Sequence, residues 1–128
     1  MSDAPRHTFP KSRRLLKGKQ FDDVFAARIR VGDGVLVVHA RPNGLGAARL
    51  GMAVSRKVGN AMRRNRWKRL LREAFRTAQH DLPALDLVCL PRLRGEPTLA
   101  AVSGSLTALA KRAEEKAASK PSAGEGKR

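Results

Sequence analysis

The sequence predicts an α/β sandwich in which about three helices pack on one small central sheet. Segments with helical periodicity and segments of β-branched apolar residues follow one another in the order helix, strand, strand, long helix, strand, helix. The 128 residues are enough for one compact domain and too few for two ordinary ones. With 41% hydrophobic but 4% aromatic residues, the core must consist mainly of aliphatic side chains.

The first predicted helix covers 19–28. Phe21, Val24 and Phe25 recur there at the i, i+3, i+4 spacing that places side chains on one face of a helix. Gly18 precedes this segment and can serve as a modest N-terminal cap. We therefore expect a short helix with a single apolar face.

Two strands are predicted next. A glycine-containing turn at 32–34 leads into the segment 35–40, VLVVHA, which is apolar and rich in β-branched residues. The second strand is predicted at 50–54. Because the intervening RPNGLGAA contains Pro, Asn and two Gly, we interpret it as a hairpin-type connection.

A long helix is predicted from about residue 59 to residue 80, where Leu82 and Pro83 end it. A third strand over 85–90 and a last helix over 99–116 complete the pattern. Since the long helix connects two strands, those strands can pair in parallel. The handedness of that connection does not follow from the residues.

The two ends of the chain lack the periodicity of the centre. Residues 1–12 are polar and contain two prolines, so we interpret them as a flexible basic arm. Residues 118–128 are small, polar and interrupted by Pro121, which is typical of a disordered tail. A single α/β domain is therefore predicted over 13–117.

The most strongly charged segment is 56–76, RKVGNAMRRNRWKRLLREAFR. It holds nine Lys or Arg and one acid, so that it carries +8 of the formal net charge of +16. Helical spacing places one set of its side chains toward the core, namely Trp67, Leu71, Phe75 and Ala78. The same spacing places a polar set outward, namely Asn65, Arg66, Arg69, Arg72 and Arg76. Arginines stacked on one face without an acid repel one another, which favours a polyanionic ligand over a solvated surface.

Composition narrows the class of partner. A pI near 11.6 indicates a nucleic acid or an anionic membrane. No apolar run approaches the roughly 20 residues that span a bilayer, and no secretory signal is recognisable, so we expect no membrane association and a cytoplasmic location. Cys89, the single cysteine, lies in an apolar run and is expected to be a buried structural thiol.

The string KVGNAMRRNRWKRLLREAFR resembles the signature of the bacterial ribonuclease P protein subunit. Its Arg-Asn-Arg core is Arg64, Asn65 and Arg66, and the Phe-x-x-Val-Phe element of that family matches Phe21, Val24 and Phe25. RLLKGKQF, LGMAVSRK and LPALDLVCLPR also occur in the family's order, so the resemblance covers about residues 13–112. It implies an α/β sandwich with a left-handed β-α-β crossover.

The resemblance also implies a function. Members of the family are protein cofactors of a ribozyme whose RNA subunit uses Mg²⁺ to remove the 5′ leader from precursor tRNA. The implied partners are ribonuclease P RNA and precursor tRNA, with no obligate protein partner, no organic cofactor, and Mg²⁺ bound by RNA rather than by this chain. The residues expected to contact the ribozyme are Arg56, Lys57, Asn60, Arg63, Arg64, Asn65, Arg66, Lys68, Arg69, Arg72 and Arg76.

A second site is implied by the same resemblance, a cleft for the single-stranded leader between the first helix and the sheet. Phe21, Phe25 and Val38 are its expected residues. Two Phe at i and i+4 are also typical of a core-facing helix, so both interpretations stay open, and one ring can serve both. Many relatives have an aromatic residue on the first strand facing the cleft, whereas VLVVHA has none, which leaves Val38 or His39 in that region.

Two other classes of function compete with this one. A ribosomal protein or general RNA chaperone would explain the charge but not the Phe-x-x-Val-Phe element. A nuclease that acts alone would need acidic metal ligands or a pair of histidines. His7, His39 and His80 show no such spacing, and no metal-ligand motif or phosphate-binding glycine loop occurs, so we predict no catalytic or metal-binding residue in this chain.

Overall fold

A computed structural model describes residues 11–16 and 18–119 of the chain. It has three α-helices and four strands. The helices are α1 (Gly18–Ala26), α2 (Ala61–Ala78) and α3 (Leu99–Ser119). The strands are β1 (Ile29–Gly32), β2 (Leu36–Pro42), β3 (Arg49–Met52) and β4 (Leu85–Pro91). Short 3-10 turns lie at Lys11–Arg13, Arg56–Val58 and Gln79–Asp81.

The four strands form one mixed sheet in the order β1-β2-β4-β3. β4 is antiparallel to β2 and parallel to β3, so α2 connects two parallel neighbours, as the sequence predicts. The predicted hairpin between β2 and β3 is wrong, because β4 lies between them. Segment 43–48 does connect β2 to β3. A turn motif in the sequence does not reveal, however, that a later strand, β4, pairs with β2.

β1 was not anticipated. It pairs antiparallel with β2, from Ile29 opposite Ala40 to Gly32 opposite Val37. Its four residues are too few to show a clear alternation, and they adjoin a helix that ends earlier than predicted. Arg28 has a φ of 58°, in the left-handed region, and this reverses the chain direction between α1 and β1.

The sheet is covered on both faces, which confirms the predicted sandwich. On one face α2 and α3 bury the main core, in which Trp67, Leu71 and Phe75 of α2 are fully buried. On the other face α1 packs over a smaller cluster formed by Leu15, Val24 and Val88. Because α1 is only nine residues long, it leaves part of this second face uncovered.

Secondary structure extends beyond both predicted domain bounds, residues 13 and 117. Lys11 and Ser12, placed in the flexible arm, belong to a 3-10 turn, and Leu15 N–H donates to Leu50 O at 2.9 Å. This segment thereby lies along the outer edge of β3. Ala118 and Ser119, placed in the tail, are the last residues of α3. The rest of the predicted arm and tail, 1–10 and 120–128, lies outside the described residues.

Candidate nucleic-acid interface

The start of α2 is built by two residues of the predicted RNA-contact segment. Asn60 is the N-cap, and its Oδ1 accepts a hydrogen bond from the N–H of Arg63 at 2.9 Å. Gly59 has a φ of 149°, and a Cβ at this position would lie 2.6 Å from Cδ of Arg63. Glycine therefore lets the Arg63 side chain fold back over the helix end. Asn60 has a structural role as a cap, whether or not it also contacts RNA.

Arg63 connects α2 to the loop between β4 and α3. Its guanidinium donates to the carbonyl oxygens of Val58 at 3.0 Å, Arg94 at 2.7 Å and Gly95 at 2.6 Å. Only 24% of its side chain is exposed. Although the sequence predicts an RNA contact here, most of the hydrogen-bonding capacity of Arg63 is used within the protein.

The Arg-Asn-Arg core occupies the first turns of α2. Arg64 is half-buried and donates from Nε to Gly59 O at 3.2 Å, which explains how a charged residue is accommodated near the core face. Asn65 is exposed. Arg66 is paired through Nε with a carboxylate oxygen of Glu96 at 2.5 Å, and its Nη2 donates to Pro97 O at 3.2 Å.

Further along α2, Arg69 and Arg72 project into solvent, and Lys68 is half-buried beside them. These three cations form no ion pair or hydrogen bond with any other side chain in the described part of the chain. Arg76 differs, because it pairs with Glu73 one turn earlier. The expectation of an acid-free arginine face is therefore wrong at Arg66 and Arg76, and it holds at Arg69 and Arg72.

A basic depression adjoins the start of α2. Arg56 and Lys57 are exposed in the 3-10 turn that precedes the helix. Lys57 lines the depression together with Ser55, Arg92 and Arg94. The sequence identified Arg56 and Lys57 but missed the two arginines after β4, because at least 15 residues separate them from the basic segment.

The predicted leader cleft lies on the α1 face of the sheet. Phe21 is half-buried against the small cluster of Leu15, Val24 and Val88, whereas Phe25 is 39% exposed. The Phe25 ring stands edge-on to His39, with ring centroids 4.7 Å apart and an interplanar angle of 71°. Phe21 thus contributes to packing, and Phe25 presents an accessible aromatic surface.

The assignment of Val38 to this cleft is wrong. Val38 is fully buried in the main core, on the face covered by α2 and α3. Side chains alternate along a strand, so the neighbouring His39 faces α1 instead. The aromatic partner of Phe25 is therefore a histidine, whose pKa lies below the ordinary value because of burial and the positive charge of Arg30.

Cys89 is fully buried, and burial raises its pKa to about 12. This confirms the structural interpretation of the thiol, because a nucleophilic cysteine needs an accessible thiolate.

In the described part of the chain, no three residues among His, Cys, Asp and Glu are grouped so as to hold a metal ion. Nor does any described helix combine the length and apolar character needed to cross a membrane.

Comparison with known proteins decides the family. The model of the Ribonuclease P family matches residues 9–114, which include α1, the whole sheet and α2. The chain belongs to the ribonuclease P protein family. Ribonuclease P protein components from Chromohalobacter salexigens and Chlamydia caviae are 48% and 40% identical over 86 and 93 residues. These alignments cover 66% and 72% of this chain, and 67% of each relative.

Solved ribonuclease P proteins share the fold. The protein from Staphylococcus aureus is 30% identical with a TM-score of 0.71, over 81% of this chain and 97% of that one. The protein from Thermotoga maritima is 34% identical with a TM-score of 0.70, over 77% of this chain and 96% of that one. The predicted fold class is confirmed, and the chain is a protein component of ribonuclease P, the enzyme of tRNA 5′ maturation. Membership implies ribonuclease P RNA and a tRNA substrate as partners.

Proposed function

We propose that this chain binds ribonuclease P RNA through the outer face of α2 and holds the leader of precursor tRNA on the α1 face of the sheet. The observation that carries the proposal is the position of Arg69 and Arg72. Both are exposed on a helix whose opposite side is fixed by the buried Trp67 and Leu71, and neither is neutralised by an acid among the described residues. Arginine suits phosphate contact because its planar guanidinium donates two parallel hydrogen bonds.

The catalytic groups are proposed to lie in the RNA subunit. Mg²⁺ would be bound there and by the substrate, with no organic cofactor. Asp86, the most buried acid among the described residues, is instead held by Arg49, Arg41 and Asn43. Arginine side chains that replace screening cations should lower the Mg²⁺ concentration that cleavage needs. A cytoplasmic location is part of the same proposal.

The leader is proposed to contact the exposed ring of Phe25 and the half-buried ring of Phe21, with His39 beside them. A base stacked on an aromatic side chain contributes roughly 1–3 kcal/mol of binding free energy. Only precursor tRNA has a leader, so this contact should raise affinity for the precursor over mature tRNA.

Reconstitution tests the proposal. The purified protein is added to ribonuclease P RNA at low Mg²⁺, and leader removal from precursor tRNA is measured. We expect stimulated cleavage, and no cleavage when the protein and Mg²⁺ are present without the RNA subunit. Binding that involves five to seven phosphates should weaken with salt at a log–log slope of roughly −4 to −6. Lack of stimulation would contradict the proposed role.

Two variants separate the two surfaces. Arg69→Ala should weaken binding of ribonuclease P RNA, whatever substrate is used. Phe25→Ala, at an exposed position, should weaken the binding of precursor tRNA to the assembled holoenzyme and leave mature tRNA unaffected. Equal losses for precursor and mature tRNA in Phe25→Ala would argue against leader contact there.

A further inference from the structure

A second basic depression lies at the other end of the sheet from the start of α2. It is lined by Lys11, Ser12, Arg14, Leu16, Gln20 and Arg49, and we call it the β3-edge depression. Arg49 is the first residue of β3 and lies opposite Asp86, near the start of β4. Pro91 lies five positions after Asp86 along β4, so the two ends of the sheet are roughly 17 Å apart. The depression is therefore distinct from the surface around Arg66.

Arg49 is held rigidly in this depression. Its Nε and Nη2 donate to the two carboxylate oxygens of Asp86 at 2.7 and 2.8 Å. Asp86 is 1% exposed and also accepts from Asn43 Nδ2 at 2.9 Å. Arg41 Nε lies 3.5 Å from the same carboxylate. Two guanidinium groups therefore share one buried acid. Arg41 also lies 4.0 Å from a carboxylate oxygen of Asp23, which pairs with Lys19, so the three cations of this network outnumber its two acids.

One edge of the Arg49 guanidinium remains available. Its Nη1 makes no hydrogen bond to another described residue, and 18% of the side chain is exposed. Because Nε and Nη2 are fixed by Asp86, the direction of Nη1 is set before any ligand arrives. Such pre-organisation reduces the conformational entropy that binding must overcome.

The rest of the lining is held in place as well. A parallel bridge between Arg14 and Leu50, together with the Leu15–Leu50 hydrogen bond, fixes the segment 11–16 against β3. Arg13 Nη1 donates to Gln79 Oε1 at 3.1 Å and ties this segment to the end of α2. The Gln20 side chain accepts from Leu16 N–H at 2.7 Å. The backbone of this part of the lining is thus preformed, and Lys11 and Ser12 present exposed side chains from it.

The chemistry of the lining selects the ligand. Lys11, Arg14 and Arg49 supply three cations, and Ser12 adds a hydroxyl donor, while none of the described residues that line the depression is acidic. Leu16 is the one aliphatic side chain among the lining residues, so an apolar protein anchor has little to pack against. A phosphate group of an RNA backbone satisfies several such donors at once.

We propose that the β3-edge depression is a second RNA-backbone site, in which Arg49 contacts a phosphate and Asp86 acts as its positioning residue. The inference rests on the proposed function, since it takes RNA to be the partner. With sites at both ends of the sheet, the protein contacts either two RNA segments or one extended strand. The phosphate comes from ribonuclease P RNA or from precursor tRNA.

Charge reversal at Lys11 tests the site without disturbing the Asp86 network. Lys11→Glu is compared with Lys111→Glu, which makes the same charge change on the exposed side of α3. Binding of ribonuclease P RNA to the protein, and of precursor tRNA with and without leader to the holoenzyme, is measured over a range of salt concentrations. Lys11→Glu should lose several-fold more affinity than Lys111→Glu, with a salt slope shallower by about one. Ser12→Glu, which removes no cation, should act in the same direction.

The outcomes identify the source of the phosphate. If only the affinity for ribonuclease P RNA falls, the site binds the ribozyme. If only the affinity of the holoenzyme for precursor tRNA falls, the site binds the substrate. If Lys11→Glu and Ser12→Glu match Lys111→Glu in every assay, the second site does not exist, while the role of α2 stands. If the wild-type protein binds neither RNA, the proposed function and the second site are both overturned.

Discussion

Glu96 pairs with Arg66, so the second arginine of the Arg-Asn-Arg core has an acidic partner from the loop between β4 and α3. The same carboxylate lies 3.7 Å from Nη1 of Arg63. Glu96 is 65% exposed, which makes the pair accessible to a competing anion. The protein therefore supplies at this point a counter-charge that an RNA phosphate would have to displace.

Glu96→Gln should strengthen RNA binding. The change removes the competing carboxylate from Arg66 and Arg63, so affinity for ribonuclease P RNA should rise and its salt dependence should steepen. Stability should change by less than about 1 kcal/mol, because the ion pair is on the surface. Glu114→Gln, which removes the same charge from the exposed side of α3, is the control. Weaker RNA binding in Glu96→Gln would show that the acid orients Arg66 for RNA instead of competing with it.

Gly51→Ala should displace the Phe21 ring. A Cβ at residue 51 would lie 2.9 Å from Cζ of Phe21 and 3.1 Å from Cδ1 of Leu15, closer than packed side chains allow. Overpacking of this kind costs about 1–3 kcal/mol in unfolding free energy. Denaturant unfolding measures the loss, and the ratio of precursor to mature tRNA affinity reports on the cleft.

Gly104→Ala is the control for Gly51→Ala, because the same added methyl group should stabilise the protein at this position. Gly104 lies inside α3 with no atom within 4 Å of its added Cβ, so alanine should stabilise the protein by about 0.5–1 kcal/mol. A Gly51→Ala variant as stable as the wild type would show that Phe21 moves freely over β3.

The sequence predicted the fold wherever periodicity was long enough to be informative. All three helices and the strands β2, β3 and β4 follow from apolar spacing, and the buried side of α2 was correct at Trp67, Leu71 and Phe75. The four residues of β1 carry too short a pattern. Strand order was not predictable either, because inserting β4 beside β2 depends on contacts distant in sequence.

The candidate site was predictable only as far as it lies on one element. Neighbours on α2 such as Arg69 and Arg72 follow from helix geometry. Glu96 is 30 residues away from Arg66 in sequence, and nothing in its local context indicates a contact with α2. Val38 and His39 are neighbours on β2, and their side chains therefore point to opposite faces of the sheet. Because Val38 was assigned to the cleft, one of the predicted cleft residues is in fact a core residue.

Asp86 should make the stability of the protein depend on acidic pH. Burial by itself would raise its pKa, but hydrogen bonds from Arg49 and Asn43 and the charges of Arg49 and Arg41 outweigh burial and hold the pKa below the ordinary value. Stability from this group is therefore fully present above the unfolded pKa of about 3.9, and is lost as pH falls through the lower folded value. Urea unfolding at pH 7 and pH 3 should show a smaller acid loss in Asp86→Asn than in the wild type.

The residual acid sensitivity of that variant has a second source. The pKa of Asp33 is also lowered: burial raises it, but hydrogen bonds from Leu36, Ser105 and Val35 and the charge of Arg112 outweigh burial. Asp86→Asn should therefore remove only part of the dependence of the unfolding free energy on acidic pH. At neutral pH, Asp86→Ala should cost about 3–5 kcal/mol, toward the lower end because Arg49 keeps some exposure. Asp22→Asn, which changes an exposed carboxylate of α1, is the control and should show neither effect. If Asp86→Asn and the wild type lose the same stability between pH 7 and pH 3, Asp86 does not contribute to the acid sensitivity.

His39→Phe should increase discrimination in favour of precursor tRNA. Phenylalanine would keep the edge-on contact with Phe25 and present a larger apolar surface to a leader base. Competition binding of the holoenzyme to precursor and mature tRNA should show a higher affinity ratio than in the wild type. An unchanged ratio in a folded variant would mean that the leader does not reach this part of the sheet.

The same substitution should remove a pH dependence near neutrality. The pKa of His39 is lowered by burial and by the charge of Arg30, its partner across the β1–β2 pair, so the neutral ring is favoured in the folded state. Its contribution to stability is present above the unfolded pKa of about 6.5 and is lost as pH falls through the folded value. Between about pH 7.5 and pH 5, thermal unfolding of the wild type should therefore shift downward more than that of His39→Phe. Parallel shifts for both proteins would assign the pH dependence to other groups, and the aromatic contact with Phe25 would then be independent of protonation.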